Sequence, residues 1–337
     1  MTIDQTIRLL ALVTLVEMMV FVGLSAPLVD FVNAAKDLRR VGLAVFANYL
    51  LVPVVTVALL AVFRAPPLVA VGFLILAVCP GGPYGPPYTA IAKGNVGSAA
   101  GLMVILAGLS AFLSPVLLRG LVRLLPGNQP VSVDVAAMSV TLLLGQVAPL
   151  LGGLAVRRWR PRQADRLVEP ARRGATFLNI AFLILVVAVQ YRMLLQIRAM
   201  ALFGMLVLLA ASMAVGWLAG GAGAGDRRAM TLTTSVRNNG VGMVIATGAF
   251  PGTAAVTAAI VYGLVGFLGS LLLALWWGRR PPAESPVGVG LSDFSVLPST
   301  PILLASNSRT GQDIASPSTR PTAETASVSP GTGRSEL

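Results

Sequence analysis

The chain has 337 residues, of which 55 % are apolar and only 11 % are charged. A soluble domain carries about 25 % charged residues, so this composition excludes an ordinary soluble enzyme. The net charge of +12 comes mainly from 23 arginines, most of which lie in short gaps between long uncharged runs. That distribution is typical of loops between membrane spans and does not indicate a nucleic-acid partner. With no histidine and one cysteine, the sequence predicts no metal site or cofactor and excludes a His-based catalytic triad.

Nine segments are long and apolar enough to be membrane spans, which need about 20 mostly apolar residues. In chain order they are 7–29, 41–63, 65–92, 94–118, 135–156, 174–191, 199–225, 229–250 and 252–278. The apolar run of the first span continues into Pro27, so we interpret it as a retained helix rather than a cleaved signal peptide. The sequence therefore predicts an all-α membrane protein with nine transmembrane helices.

The basic residues between these spans predict the orientation of the chain. One side carries 15 of them, including seven arginines in the loop between the fifth and sixth spans, and the other side carries six. Basic loops face the cytoplasm, so we expect the N-terminus outside and the C-terminus inside the cell (inner) membrane.

The composition changes after the last span. Residues 281–337 are rich in Pro, Ser, Thr and Gly and have few apolar positions to bury. Such a segment does not offset the entropy of ordering. We therefore expect a transmembrane domain over 1–280 and a disordered cytoplasmic tail over 281–337.

Two predicted spans contain segments that break helical rules. Residues 79–88 of the third span hold four prolines and three glycines, and each interior proline removes a backbone hydrogen bond. Residues 233–240 of the eighth span hold Arg237 among polar residues and glycine. Irregular backbone survives in a membrane where protein buries it or where it lines a cavity. We therefore expect these two segments to meet inside the membrane and to leave a pocket; if they lie far apart, the interpretation as a carrier fails.

The two interrupted spans occupy matching positions in two halves of the chain. Each is the third member of a group of four, in spans one to four and in spans six to nine, and the odd offset of five makes the two groups inverted repeats. Paired interrupted helices of this kind indicate the binding site of a secondary transporter.

The motifs at the two interruptions carry a family resemblance. The first reads Cys79-Pro80-Gly81-Gly82, then Thr89, then Ala92-Lys93-Gly94-Asn95-Val96, and the second reads Asn238-Asn239-Gly240-Val241. Over most of residues 15–278 the sequence resembles the bile acid:sodium symporter family, in a nine-span bacterial form. The resemblance implies a core domain of spans within 41–118 and 199–278, in which the two broken helices cross. It also implies a panel domain of spans within 7–29 and 135–191, and alternating-access transport of a small organic anion bound between the domains.

The sequence departs from the family pattern at the positions that the resemblance identifies as sodium ligands. Gly85 and Pro86 replace a Ser-Asn pair, Thr233 replaces an acidic residue, and Arg237 replaces a glutamine. At about 4 Å and an effective dielectric constant of about 20, an arginine repels a cation by roughly 4 kcal/mol. We infer that Arg237 takes the electrostatic role of the missing sodium ions and that sodium coupling is doubtful.

Several side chains are candidates for the binding site. Arg237 suits a substrate carboxylate or sulfonate, or alternatively the carbonyls freed at the other break. The other candidates line the expected crossing or, alternatively, pack there and cap helix ends: Tyr84, Tyr88, Thr89, Thr233, Thr234, Asn238 and Asn239. Glu17, an acid deep in the first span, is a candidate proton site or a neutral hydrogen-bonded side chain. Asn179, Gln146 and Gln190 are expected to form hydrogen bonds between helices.

Two other functions compete with an organic-anion transporter. An arsenite-type efflux carrier would need a cysteine and an acid at the crossing, and Thr233 and Arg237 argue against it. A membrane sensor or scaffold with a degenerate transport site would act through its tail. We do not expect an enzyme. The predicted partners are a small organic anion and the lipid bilayer.

Overall fold

The structure is a computed structural model that describes residues 2–125, 134–195 and 199–279. Within these ranges every regular element is a helix, in agreement with the predicted all-α class. The predicted tail over 281–337 lies outside the described residues.

The described ranges contain fourteen α-helices and two π-helical turns. The α-helices are α1 (Ile3–Ser25), α2 (Leu28–Lys36), α3 (Leu38–Phe46), α4 (Val52–Val62), α5 (Pro67–Ala77), α6 (Gly85–Ile91), α7 (Val96–Val122), α8 (Val135–Leu142), α9 (Ala148–Trp159), α10 (Pro161–Leu195), α11 (Ala199–Ala219), α12 (Ala224–Ser235), α13 (Asn239–Ala249) and α14 (Ala254–Arg279). The π-helical turns Ala47–Leu51 and Leu143–Val147 join α3 to α4 and α8 to α9.

In the described part of the chain, seven helical segments are long and apolar enough to cross a membrane. They are Gln5–Ser25, Leu38–Val62, Val96–Val122, Val135–Trp159, Pro161–Met193, Ala199–Ala219 and Ala254–Arg279. Each overlaps one of the nine predicted spans. The other two predicted spans, 65–92 and 229–250, contain the interruptions.

The structure divides each of these two spans into a pair of short helices. In the first, α5 ends at Ala77 and α6 begins at Gly85; in the second, α12 ends at Ser235 and α13 begins at Asn239. Both irregular segments are shorter than the sequence predicts. Pro86 and Pro87 fall in the first turn of α6, where a missing N–H breaks no helical hydrogen bond, and Thr233 and Thr234 belong to α12.

The prediction of an arginine-rich loop between the fifth and sixth spans is wrong, because this segment is helical. Residue 160 alone separates α9 from α10, and α10 runs for 35 residues through Pro170. Near its start, Glu169 pairs with Arg172 and Arg173 at helical spacing, with N–O distances of 2.8 Å. Arginine and glutamate favour helix where such pairs form, so high charge here extends a helix instead of ending it.

Close packing of small residues forms two groups of helices. In one, α1 packs against α9 and α10. There a Cβ atom added to Gly23 would lie 2.4 Å from the carbonyl oxygen of Leu150. In the other group, α5 packs against α14 and α11 packs against α12. Helices in a membrane associate through such backbone contacts, because lipid tails are as apolar as the side chains.

Candidate functional site

The two interruptions lie against each other. The backbone N–H of Asn238 donates a 2.8 Å hydrogen bond to the carbonyl oxygen of Cys79. A Cβ atom added to Gly82 would lie 2.5 Å from the carbonyl oxygen of Arg237, so glycine is required for this approach. The two segments therefore meet as the sequence analysis requires, and each satisfies backbone groups that the other leaves free.

Arg237 lies at this contact and is 5 % exposed. Its Nη1 donates to Oδ1 of Asn48 at 3.2 Å and makes a longer contact of 3.5 Å with the carbonyl oxygen of Ala77. Neither Nε nor Nη2 has a hydrogen-bond partner among the described residues. The ion pairs of the described residues do not include Arg237. The guanidinium thus keeps one N–H edge free, and its partners are neutral.

Asn48 orients this guanidinium from the π-helical turn Ala47–Leu51 and is fully buried. Its Nδ2 donates to the carbonyl oxygen of Ala44 at 2.9 Å and to Oγ1 of Thr234 at 3.2 Å. These two acceptors fix the amide with Oδ1 toward Arg237. Single π-helical turns occur frequently at functional sites. The sequence analysis missed Asn48, although an isolated asparagine in an apolar span was a signal for it.

A cavity of about 290 Å³ opens beside the crossing. It lies between α1 and α10 on one side and α13, α14 and both interruptions on the other. Most of its lining is apolar. The polar residues that line it are Thr14, Tyr84, Asn179, Arg237, Asn238 and Asn239. Among the described residues that line it there is no carboxylate, so its electrostatic character favours an anion.

Four of the eight predicted binding residues line this cavity: Tyr84, Arg237, Asn238 and Asn239. The Oδ1 atom of Asn238 accepts from the N–H of Val241 and caps α13. Its Nδ2 has no partner among the described residues. Asn239 donates from Nδ2 to the carbonyl oxygen of Gly263 at 3.4 Å. Arg237 and Asn238 both line the cavity, and both carry buried N–H donors that have no partner among the described residues. Such donors suit a carboxylate or sulfonate.

The other four predicted residues are buried but are not among those that line the cavity: Tyr88, Thr89, Thr233 and Thr234. Thr89 donates to the carbonyl oxygen of Gly85, one turn earlier in α6. The hydroxyl of Thr234 accepts from Asn48. Tyr88 packs on Phe267 with ring centroids 5.5 Å apart. The hydroxyl of Thr233 has no partner among the described residues. These side chains therefore pack within the protein and do not form the wall of the cavity.

Glu17 of α1 lies close to α10. A Cβ atom added to Gly174 of α10 would lie 2.9 Å from a carboxylate oxygen of Glu17, and Glu17 is absent from the residues that line the cavity. Its role as a proton site stays a prediction.

Asn179 on α10 is a second residue whose position the sequence analysis missed. It was expected to bond to another helix, but its Nδ2 donates to the carbonyl oxygen of Ala175 in its own helix, and the residue lines the cavity. The two glutamines do bond between helices: Gln146 donates to Ser110 of α7 and Gln190 accepts from Thr257 of α14. Asn179 and Thr14 thus give the α1–α10 side of the cavity its polar groups.

Comparisons with known proteins agree with this architecture. The sequence profile of the Sodium Bile acid symporter family matches residues 12–216, which ends before α12 and Arg237. The chain is 26 % identical over 265 residues to YocS of Bacillus subtilis (strain 168), named an uncharacterized sodium-dependent transporter, covering 77 % of this chain and 79 % of that protein. It is 24 % identical over 271 residues to BASS2 of Oryza sativa subsp. japonica, named a probable chloroplastic sodium/metabolite cotransporter. That match covers 79 % of this chain and 64 % of the rice protein.

The profile match covers more than half of the chain, and the apolar helices agree with it. Both the family and the names of the relatives indicate a transporter rather than an enzyme. The chain is a multi-pass membrane protein and belongs to the sodium bile acid symporter family.

Proposed function

We propose that the protein is a secondary transporter that moves a small organic anion across the cell (inner) membrane by alternating access. The observation that carries this proposal is the buried guanidinium of Arg237, with Nε and Nη2 unbonded, at the wall of a mostly apolar cavity. A buried charge without a partner is costly, and an anionic group bound at that free edge would offset the cost. The apolar lining would hold the body of the substrate.

The architecture that goes with this function has nine spans, seven of them long helices and two formed by the pairs α5–α6 and α12–α13. The core domain consists of α3 to α7 and α11 to α14, and the panel of α1 and α8 to α10. The two domains enclose the cavity, with inverted repeats in spans one to four and six to nine. The N-terminus lies outside and the C-terminus in the cytoplasm, as the basic residues predict.

Sodium does not suit the crossing. The position of the expected carboxylate ligand holds Thr233, and the guanidinium of Arg237 lies at the contact between the two interruptions. Sodium needs oxygen ligands, and a fixed positive charge a few ångströms away repels it. Transport is therefore independent of sodium, with Arg237 supplying the positive charge.

Thermal unfolding of the purified full-length protein tests both parts of this proposal. The probes are acetate, lactate, benzoate and toluenesulfonate, each as the sodium and as the choline salt. We expect at least one of them to raise Tm by several degrees equally with either cation, since a ligand that binds only the folded state stabilises it. We also expect Arg237→Gln to reduce that shift strongly. A shift that requires sodium contradicts the sodium-independent site, and no shift with any probe contradicts the anion site.

A further inference from the structure

No acidic side chain that the structure describes forms an ion pair with Arg237. The acidic side chains that the structure describes all lie elsewhere. Asp37 and Asp226 contact Arg40, Asp165 pairs with Arg157, Glu169 pairs with Arg172 and Arg173, Asp134 caps α8, Asp30 lies against Gly97, and Glu17 lies against Gly174. The empty crossing consequently carries one unbalanced positive charge within the membrane-spanning part of the protein.

This charge is fixed to the crossing itself. Its hydrogen-bond partners are Asn48, between α3 and α4, and the carbonyl of Ala77 at the end of α5. The backbone of Arg237 is packed on Gly82. All of these elements belong to the proposed core domain. When that domain moves relative to α1 and α10, the guanidinium must move with it, because its contacts hold it within the domain.

A bound monoanion changes the energetics of that movement. With a carboxylate or sulfonate on the free edge of Arg237, the crossing is neutral while the domains pass through their closed arrangement. Without it, the same movement carries an unpaired charge through a medium of low dielectric constant, where the loss of solvation is not repaid. The loaded protein should reorient rapidly and the empty protein slowly.

We infer that the protein is an exchanger: it moves one organic monoanion in each direction per cycle and returns only slowly when empty. This inference rests on the proposed anion site. It also predicts the charge class of the substrate, because a dianion would leave the crossing with one negative charge and would lose the advantage of neutrality.

The test compares exchange with net flux in proteoliposomes that contain the full-length protein. The radiolabelled probe is whichever of acetate, lactate, benzoate and toluenesulfonate stabilises the protein most. Efflux is measured with the same unlabelled anion outside and with sulfate, an inorganic dianion, outside, in equal potassium with valinomycin, so that no membrane potential limits net flux. A protein-free liposome blank corrects for leakage. We expect exchange to exceed net efflux at least tenfold, and unlabelled succinate outside to drive less exchange than the monoanion.

Two variants of Arg237 separate charge from shape. Arg237→Lys retains the positive charge, so the ratio of exchange to net flux should stay high. Arg237→Gln removes it, so the ratio should fall toward one even where the affinity for the probe is reduced. The wild-type ratio alone decides the question if a variant does not fold. Equal exchange and net flux in a protein that binds the probe overturns exchange and leaves the anion site standing. Absence of binding by all four probes overturns the anion site, and exchange with it.

Discussion

Thr257 on α14 donates a 2.5 Å hydrogen bond to Oε1 of Gln190 on α10, and both side chains are buried. The bond joins α10 to α14, which line opposite sides of the cavity of about 290 Å³ beside the crossing. We call this cavity the central cavity. Ala259 and Ile260, two and three residues after Thr257 on α14, line that cavity, whereas Thr257 itself lines a second cavity of about 630 Å³. The Gln190–Thr257 bond therefore lies at the boundary between the two cavities, toward the end of the bundle that the proposed orientation puts outside.

Loss of this bond should open the central cavity toward the outside. We expect Gln190→Leu to shift the equilibrium between the closed and the open central cavity about two- to tenfold toward the open state, because a neutral hydrogen bond contributes about 0.5–1.5 kcal/mol. The measurement uses Ala259→Cys in a Cys79→Ala background, which leaves one thiol in the cavity wall. The rate of labelling by a membrane-impermeant maleimide added from outside should rise by the same factor.

The matched control for this prediction is Thr176→Val, on the same helix. The hydroxyl of Thr176 donates to the carbonyl of Arg172 in its own helix, and the residue is exposed. It should leave the labelling rate unchanged. Equal labelling rates in Gln190→Leu and in the parent would show that the bond does not close the path.

A carboxylate placed beside Arg237 should compete with the substrate. Asn48→Asp puts an anionic oxygen where Oδ1 now accepts from Nη1 at 3.2 Å. Hydrogen bonds to charged groups contribute about 1.5–3 kcal/mol, so we expect affinity for the stabilising monoanion to fall at least about tenfold. Ligand-dependent thermal shift measures the affinity. Asn48→Ala also removes the bonds that Nδ2 donates to Ala44 and Thr234 but keeps the net charge, so it should reduce the affinity less than Asn48→Asp; the reverse order would refute this account of Asn48.

The close approach at Gly82 should be the most sensitive backbone position of the crossing. Its Cβ would meet the carbonyl oxygen of Arg237 at 2.5 Å, so Gly82→Ala should destabilise the protein by about 1–3 kcal/mol. Gly108→Ala in α7 is the control, because a Cβ there has nothing within 4 Å. That change should stabilise the helix by up to about 1 kcal/mol. Thermal unfolding of the two variants in one detergent checks the opposite signs, and equal Tm values would contradict the packing at Gly82.

The sequence predicted the crossing because prolines and a charged residue in apolar spans have few alternative explanations. Arg237 could be identified in this way, since a buried arginine must have a reason. The direction in which Tyr88 and Thr89 point could not be predicted, because it depends on where α6 begins. The prolines at 86 and 87 suggested a longer break, but they form the first turn of α6, which begins at Gly85. Asn48 stands out as an isolated asparagine in an apolar span, but its position beside Arg237 depends on a π-helical turn that no residue pattern predicts.

The charged start of α10 was misread for a similar reason. Arginine density predicts which side of the membrane a segment faces, but it does not decide between loop and helix. The pairs that Glu169 makes with Arg172 and Arg173 stabilise a helix that projects beyond the apolar part of α10. Topology could therefore be argued from charge, whereas the length of this helix depended on local pairing.

Substitution of Glu17 distinguishes exchange that depends on Arg237 alone from transport coupled to protons. Its carboxylate lies against Gly174, on the contact between α1 and α10, and the residue does not line the cavity at Arg237. If exchange depends on the charge of Arg237 alone, Glu17→Gln should leave both the exchange rate and its dependence on pH between 5 and 8 within about twofold of the parent, since it removes no group that contacts the substrate. Radiolabelled exchange in proteoliposomes at several pH values measures this, with Asp165→Asn, an exposed carboxylate on the same helix group, as the control. A pH dependence present in the parent and lost only in Glu17→Gln would identify Glu17 as a proton site and would couple transport to protons.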